Sequence, residues 1–133
     1  VANSRYVLDT SAVFALIEDE DGADRVEQIL EEDEILLPWL VLLEITYVSR
    51  QEWGEEIATH RYDMLKRLNA KILWEADESV LLTAANLKAN NHLSLADSII
   101  AAFAIKNEAT LLHKDPEYDA LTGQVEMEAL PYK

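Results

Sequence analysis

RYVLDTSAVFALI, Arg5 to Ile17, is the stretch on which the fold turns. Arg5 to Leu8 are β-formers and read as a short strand. Asp9-Thr10-Ser11 follow, and then Ala12, Val13, Phe14, Ala15, Leu16 and Ile17 continue as a largely buried helix with Thr10 or Ser11 as its cap.

Outward from this stretch the same alternation recurs. An amphipathic helix is expected from about Gly22 to Asp33, with Ala23, Val26, Ile29 and Leu30 on one stripe and acids opposite. Glu34 to Leu37 reads as a second strand, stopped by Pro38. Trp39 to Arg50 reads as a helix apolar almost all round, and Glu55 to Asn69 as another. Lys71 to Trp74 is a third strand. Asp77 caps a helix that runs to Asn90, and Ser94 caps one with Asp97 at its third position. Ala109 to Leu112 is a fourth strand, His113-Lys114-Asp115-Pro116 a turn, and Val125 to Leu130 a fifth, edge strand. Strands separated by helices make a parallel sheet covered on both faces, so the order predicts one small three-layer α/β domain over residues 1–133. In such sheets the functional crevice lies beyond the carboxyl ends of the strands, where strand order reverses. Asp9 and Asp115 stand at or near two such ends.

The length of 133 residues suits a single domain that folds without a metal or disulfide. With no cysteine, disulfide scaffolds, thiolate zinc sites, Fe–S clusters and a Cys nucleophile are excluded, and a cytoplasmic setting is the expectation. No apolar stretch reaches the roughly 18 residues that span a bilayer, so no membrane contact is expected. The net charge of −15, from 26 acids and 11 bases, argues against broad binding to phosphate backbones. The charge is uneven, however: ten of the acids and only one base, Arg25, lie between Glu18 and Glu34.

Three acids stand in apolar surroundings: Asp9 after Tyr-Val-Leu, Glu44 within Trp-Leu-Val-Leu-Leu-Glu-Ile-Thr-Tyr-Val, and Asp97 within Leu-Ser-Leu-Ala-Asp-Ser-Ile-Ile-Ala-Ala-Phe-Ala-Ile. An ionised carboxylate there requires a cation, a hydrogen-bond network or a proton. Each also has a purely structural reading. Asp97 suits the positive end of a helix dipole, Asp9 is a possible Asx cap, and Glu44 a possible partner of a buried Arg. Converging on one crevice, such acids repel unless a divalent cation compensates them, and oxygen-only ligands favour Mg²⁺ or Mn²⁺ over Zn²⁺. His60, His92 and His113 lack ligand spacing. Three scattered glycines make no phosphate loop, no Gly-x-Ser-x-Gly elbow exists, and Trp39, Trp53 and Trp74 lack the spacing of a base-stacking platform. A phosphotransfer or haloacid-dehalogenase-like site wants a second acid in Asp-x-Asp, where this chain has Asp9-Thr10-Ser11.

Four segments together, Val7-Leu8-Asp9-Thr10-Ser11-Ala12, the lone Glu44, Leu95-Ala96-Asp97-Ser98-Ile99-Ile100-Ala101-Ala102 and Leu111-Leu112-His113-Lys114-Asp115-Pro116-Glu117-Tyr118, resemble the PIN domain family. Within it they resemble the ribonuclease toxins of VapBC toxin–antitoxin systems. The resemblance implies an α/β/α sandwich on a short, mostly parallel sheet, with Asp9, Glu44, Asp97 and Asp115 as an acidic quartet holding Mg²⁺ or Mn²⁺. It implies Ser11, or else Thr10, as the polar residue that orients water or phosphate. Many relatives place Ser or Thr where this chain has His113, and Glu117 and Asp119 stand near enough to assist or replace Asp115. The implied activity is metal-assisted endoribonucleolytic hydrolysis that needs no side-chain nucleophile and leaves 5′-phosphate and 3′-hydroxyl ends. The implied partners are an RNA substrate, a cognate antitoxin and a second copy of the chain. Trp39, Leu40, Leu43, Tyr47 and Trp53 are candidates for a partner surface or equally for core packing, while His60, Arg61, Lys66, Arg67 and Lys114 are candidates to hold phosphate. A catalytically silent PIN-like module and a housekeeping PIN nuclease are the alternatives.

Overall fold

The structure, a computed structural model, describes residues 4–132. The ends of the expected 1–133 span, residues 1–3 and 133, lie outside the described residues. The elements follow in the order β1 (Arg5–Leu8), α1 (Thr10–Ile17), α2 (Ala23–Glu32), β2 (Glu34–Pro38), α3 (Trp39–Trp53), α4 (Glu55–Lys66), β3 (Lys71–Leu73), α5 (Glu78–Asn90), α6 (Leu95–Lys106), β4 (Thr110–His113), a 3-10 helix (Pro116–Leu121) and β5 (Met127–Ala129). The sheet order is β3-β2-β1-β4-β5, and all four pairings are parallel.

Parallel pairing needs crossovers, and the helices that make them cover the sheet. Val7 and Leu8, Ile35 to Leu37, and Leu111 and Leu112 are buried consecutively rather than alternately, as strands covered on both faces must be. The chain runs outward from β1 through β2 to β3 and returns to the other side of β1 as β4. The strand order therefore reverses between β1 and β4, paired with Val7 opposite Leu111 and Leu8 opposite Leu112. Asp9 N–H donates to the Leu112 carbonyl at 2.9 Å, which continues the ladder one residue past β1 and fixes the next turn of chain at this opening.

Of the two readings of the α1 cap, the Asx cap at Asp9 holds and the hydroxyl cap is corrected. The cap of α1 is Asp9, not Thr10 or Ser11: Asp9 has φ −74° and ψ 160°, and its carboxylate accepts from Ser11 N–H. The strand passes into the helix without a connecting loop, so the residue at the bend is the one whose side chain reaches the unpaired N–H groups. Thr10 and Ser11 become the first two helical positions, and their hydroxyls are left for other partners. The caps Asp77 and Ser94 are as expected, accepting from Val80 N–H and Asp97 N–H. α3 runs one turn beyond Arg50 and stops at Gly54, whose φ is +93°. At Gly22, φ is +102° and a Cβ would lie 3.0 Å from Leu130 Cβ, so glycine alone lets α2 start against the end of the chain.

Candidate functional site

The proposed acids come from four separate elements. Asp9 bends from β1 into α1; Glu44 lies one turn into α3; Asp97 is in the first turn of α6; Asp115 caps the 3-10 helix after β4. Asp9 is 2 % exposed, its Oδ2 accepting from Ser11 N (2.9 Å) and Ser11 Oγ (2.5 Å) and its Oδ1 from the Tyr118 hydroxyl at 2.6 Å. The same hydroxyl lies 3.1 Å from Asp97 Oδ1, so Tyr118 joins these two acids. Oxygens of Asp97, Asp115 and Glu117 lie within 4.8 Å of one another. Glu117 thus stands where the sequence left it an assistant to Asp115. Asp119 does not join this group; its Oδ1 accepts from Tyr132 instead. Asp9 and Glu44 are outside the triad, Asp9 joined to it through Tyr118 and Glu44 bound by Thr10 Oγ1 at 2.5 Å.

The electrostatics follow from this crowding. Burial and the charge of Asp9 push the Asp97 carboxyl up to about 7, with Asp115 and Glu44 adding to the effect and the Tyr118 hydrogen bond opposing it. Burial also raises Glu44, against the Thr10 hydrogen bond. Like charges on facing elements disfavour one another's ionised form. No cation of the chain answers them among the ion pairs of the described residues: Arg5, Arg25, Arg61 and Lys114 pair with Glu34, Glu128, Glu18 and Glu20 instead.

Ser11 is placed by the helix start to hold the site together rather than to face solvent alone. Its hydroxyl donates to Asp9 and accepts Lys114 N–H at 2.8 Å, so β1 and the turn after β4 are tied side by side. His113, at the position where Ser or Thr was the family expectation, is buried, and its Nδ1 accepts Asp115 N–H at 3.2 Å. That is the acceptor role a hydroxyl plays at a turn. Burial lowers the His113 ring's affinity for a proton, which keeps Nδ1 an acceptor.

Two of the candidate phosphate-binding cations are already engaged. Lys114 Nζ donates to the Asp21 carbonyl at 2.8 Å and lies 3.5 Å from Glu20; Arg61 binds Ser49 Oγ at 3.0 Å and Glu18 at 3.5 Å. The acidic α1–α2 connection therefore holds them. A cavity of about 440 Å³ opens beside Ser11, lined by Phe14, Glu18, Glu20, Lys114 and Tyr132 among others. Of the partner-surface candidates, Leu40 belongs to the core, whereas Leu43, Tyr47 and Trp53 are about half exposed or more.

Tyr118 is the site residue that sequence reasoning missed. Its position in a turn after the fourth strand gave it no apolar rhythm, and only the fold shows a fully buried phenol facing two carboxylates.

The donor set fits a small hard cation. Every ligand oxygen of the triad is a carboxylate oxygen, the hard donor that Mg²⁺ takes.

A search against curated proteins found no match to the chain. Solved structures do resemble it. VapBC2 from Rickettsia felis bound to a promoter DNA fragment aligns with a TM-score of 0.77 at 18% identity over 96% of this chain and 99% of that one. VapBC-1 from nontypeable Haemophilus influenzae gives 0.73 at 20% identity, over 94% and 97%. Mycobacterium tuberculosis VapC20, described as a Sarcin-Ricin loop cleaving toxin, gives 0.73 at 14% identity, over 95% and 99%. The model of the PIN domain matches residues 6–123, nearly the whole sheet and every acid of the site, and on that match the chain belongs to the PIN domain family.

Proposed function

We propose that this protein is a Mg²⁺- or Mn²⁺-dependent endoribonuclease and the toxin of a type II toxin–antitoxin pair. The observation that carries the reading is the uncompensated triad Asp97, Asp115 and Glu117, joined through Tyr118 to Asp9 at the point where strand order reverses. Asp97, Asp115 and Glu117 are the residues that would hold a cation directly, with Asp9 and Glu44 adding negative charge around it. A bound divalent ion supplies Lewis-acid stabilisation of charge developing on a phosphodiester and lowers the pKa of water toward neutrality.

The chain's own residues supply the preorganisation. Ser11 and Tyr118 hold Asp9, Thr10 holds Glu44, and His113 holds the turn that presents Asp115 and Glu117. No side chain need act as nucleophile, and 5′-phosphate and 3′-hydroxyl products are expected. A cytoplasmic site of action suits an RNA substrate; among the described residues no helix is long and apolar enough to cross a membrane. The VapBC complexes among the structural neighbours support an antitoxin partner. The exposed Leu43, Tyr47, Trp53 and Trp74, with an apolar groove of about 320 Å³ at Trp39, Leu43 and Trp74, suit a homodimer or an antitoxin helix.

The test is cleavage. Purified protein should cut RNA with added Mg²⁺ or Mn²⁺, and Asp9→Asn and Asp97→Asn should each abolish it. If both variants cut as well as the parent, these acids are not the site. The alternative of a silent PIN-like module predicts no saturable Mn²⁺ binding by calorimetry, which separates it from any nuclease. Growth arrest on expression, relieved by the product of an adjacent reading frame, separates a toxin from a housekeeping nuclease.

A further inference from the structure

Tyr118 does more than fill space. It is 0 % exposed, on the 3-10 helix that Asp115 caps and that also carries Glu117. Its backbone N–H donates to the Asp115 carbonyl at 3.1 Å, and its ring packs on His113 with centroids 4.8 Å apart. The backbone and ring are therefore held by the turn after β4, while the hydroxyl reaches the acids of two other elements.

An ionised carboxylate offers about four lone-pair directions. Asp9 uses two on Ser11 and one on Tyr118, leaving a single direction on Oδ1. Asp97 Oδ1 takes a share of the same phenol proton, so Oδ2 is its unencumbered oxygen. A hydroxyl shared in this way sets the spacing of the two carboxylates and limits Asp97, the one of the pair in the ligand triad, to one-oxygen ligation. Mg²⁺ and Mn²⁺ suit compact octahedra of single carboxylate oxygens, whereas Ca²⁺ favours more ligands and two-oxygen carboxylates.

We propose that Tyr118 is a positioning residue that ties Asp9 to Asp97 through one hydroxyl and thereby tunes the site toward small octahedral divalent cations and against Ca²⁺. This rests on the metal-nuclease reading above. Removing the hydroxyl while keeping the ring frees Asp97 Oδ1 to join Oδ2 on a larger ion.

Calorimetric titration of wild type and Tyr118→Phe with Mn²⁺ and with Ca²⁺ tests it, each protein first shown by a melt in EDTA to be folded. The expected result is a loss in Mn²⁺ affinity of about 10–100-fold, the usual effect of removing a group that orients a metal ligand, with a smaller loss or a gain for Ca²⁺. Unchanged Mn²⁺ affinity, or equal losses for both ions, overturns the proposal; equal losses are what a merely structural role gives. Wild type that binds no Mn²⁺ overturns the metal-nuclease reading and this inference with it, whereas wild type that binds beside an unaltered variant overturns this inference alone. Should Tyr118→Phe not fold, wild type labelled with fluorotyrosine gives the second measurement. One of its five tyrosine resonances should move on adding Mg²⁺, and five unmoved resonances overturn the proposal.

Discussion

Two part-buried carboxylates in this molecule live in opposite electrostatic worlds. Glu128 on β5 accepts from Arg25 Nε at 2.8 Å and Nη2 at 3.0 Å and from the Tyr6 hydroxyl, and the Arg25 hydrogen bond pulls its carboxyl below the ordinary range. Asp97 on α6 has no cation partner among the described residues, faces Asp9, Asp115 and Glu44, and is pushed up to about 7 by burial and those charges. The first arrangement closes an edge of the fold. The second stores repulsion that a bound cation would relieve, so the acids that cost stability are the ones proposed for the metal site.

The strongest way to break this contrast is to add the missing cation. Mn²⁺ at a hundred times its dissociation constant should stabilise the folded chain by about 2.7 kcal/mol, read as a rise in melting temperature over an EDTA control. Asp97→Asn should lose most of that rise. If metal raises the melting temperature of Asp97→Asn as much as that of wild type, Asp97 is not at the metal seat.

Glu128→Gln should act in the reverse sense. It removes a charge-assisted pair on side chains still about a third exposed, so a loss of about 1 kcal/mol is expected from a denaturant titration. Mn²⁺ affinity should not change, and a change would couple the two regions.

The pH dependences should oppose each other in metal-free protein. Asp97 has a folded pKa above its unfolded value, so its contribution is most favourable below about pH 4 and is lost as pH rises toward 7. Glu128 is lowered in the fold, so its contribution is present above its unfolded pKa and disappears as pH falls through the folded one. Melts in EDTA from pH 4 to 8 should give Asp97→Asn a flatter decline with rising pH than wild type; identical slopes would refute the assignment. The smallest effect belongs to Glu20→Gln. It should move stability by no more than about 0.5 kcal/mol, yet loosen Lys114 and tighten RNA binding modestly at low salt, measured by fluorescence anisotropy.

The same contrast reconciles the acidity of the chain with the proposed nuclease activity. The α1–α2 connection, acidic at every position from Glu18 to Asp21, holds Arg61, and it holds Lys114 beside the cavity at Ser11. Cations that would otherwise bind any phosphate backbone are thus partly occupied, and the proposed affinity for RNA is left to rest on a bound metal.

How far the sequence reaches depends on how locally a feature is determined. Asp77 and Ser94 were legible as caps because a cap's chemistry is decided within three residues. The cap of α1 was left open between Asp9 and Thr10 or Ser11, since which of them sits at the bend depends on where β1 stops, and that is set by its ladder to β4. Composition and periodicity by themselves determined the alternation of strands and helices, the apolar strands that require cover on both faces, and the misplaced acids Asp9, Glu44 and Asp97. Only the tertiary structure decided that Glu117 joins Asp97 and Asp115, that Lys114 and Arg61 are occupied, and that the Tyr118 phenol lies between two carboxylates. The physical reason is range. Burial and helix periodicity are written in neighbouring residues, whereas a hydrogen bond between Tyr118 and Asp9 spans 109 positions and exists only once the sheet has brought the ends of β1 and β4 together.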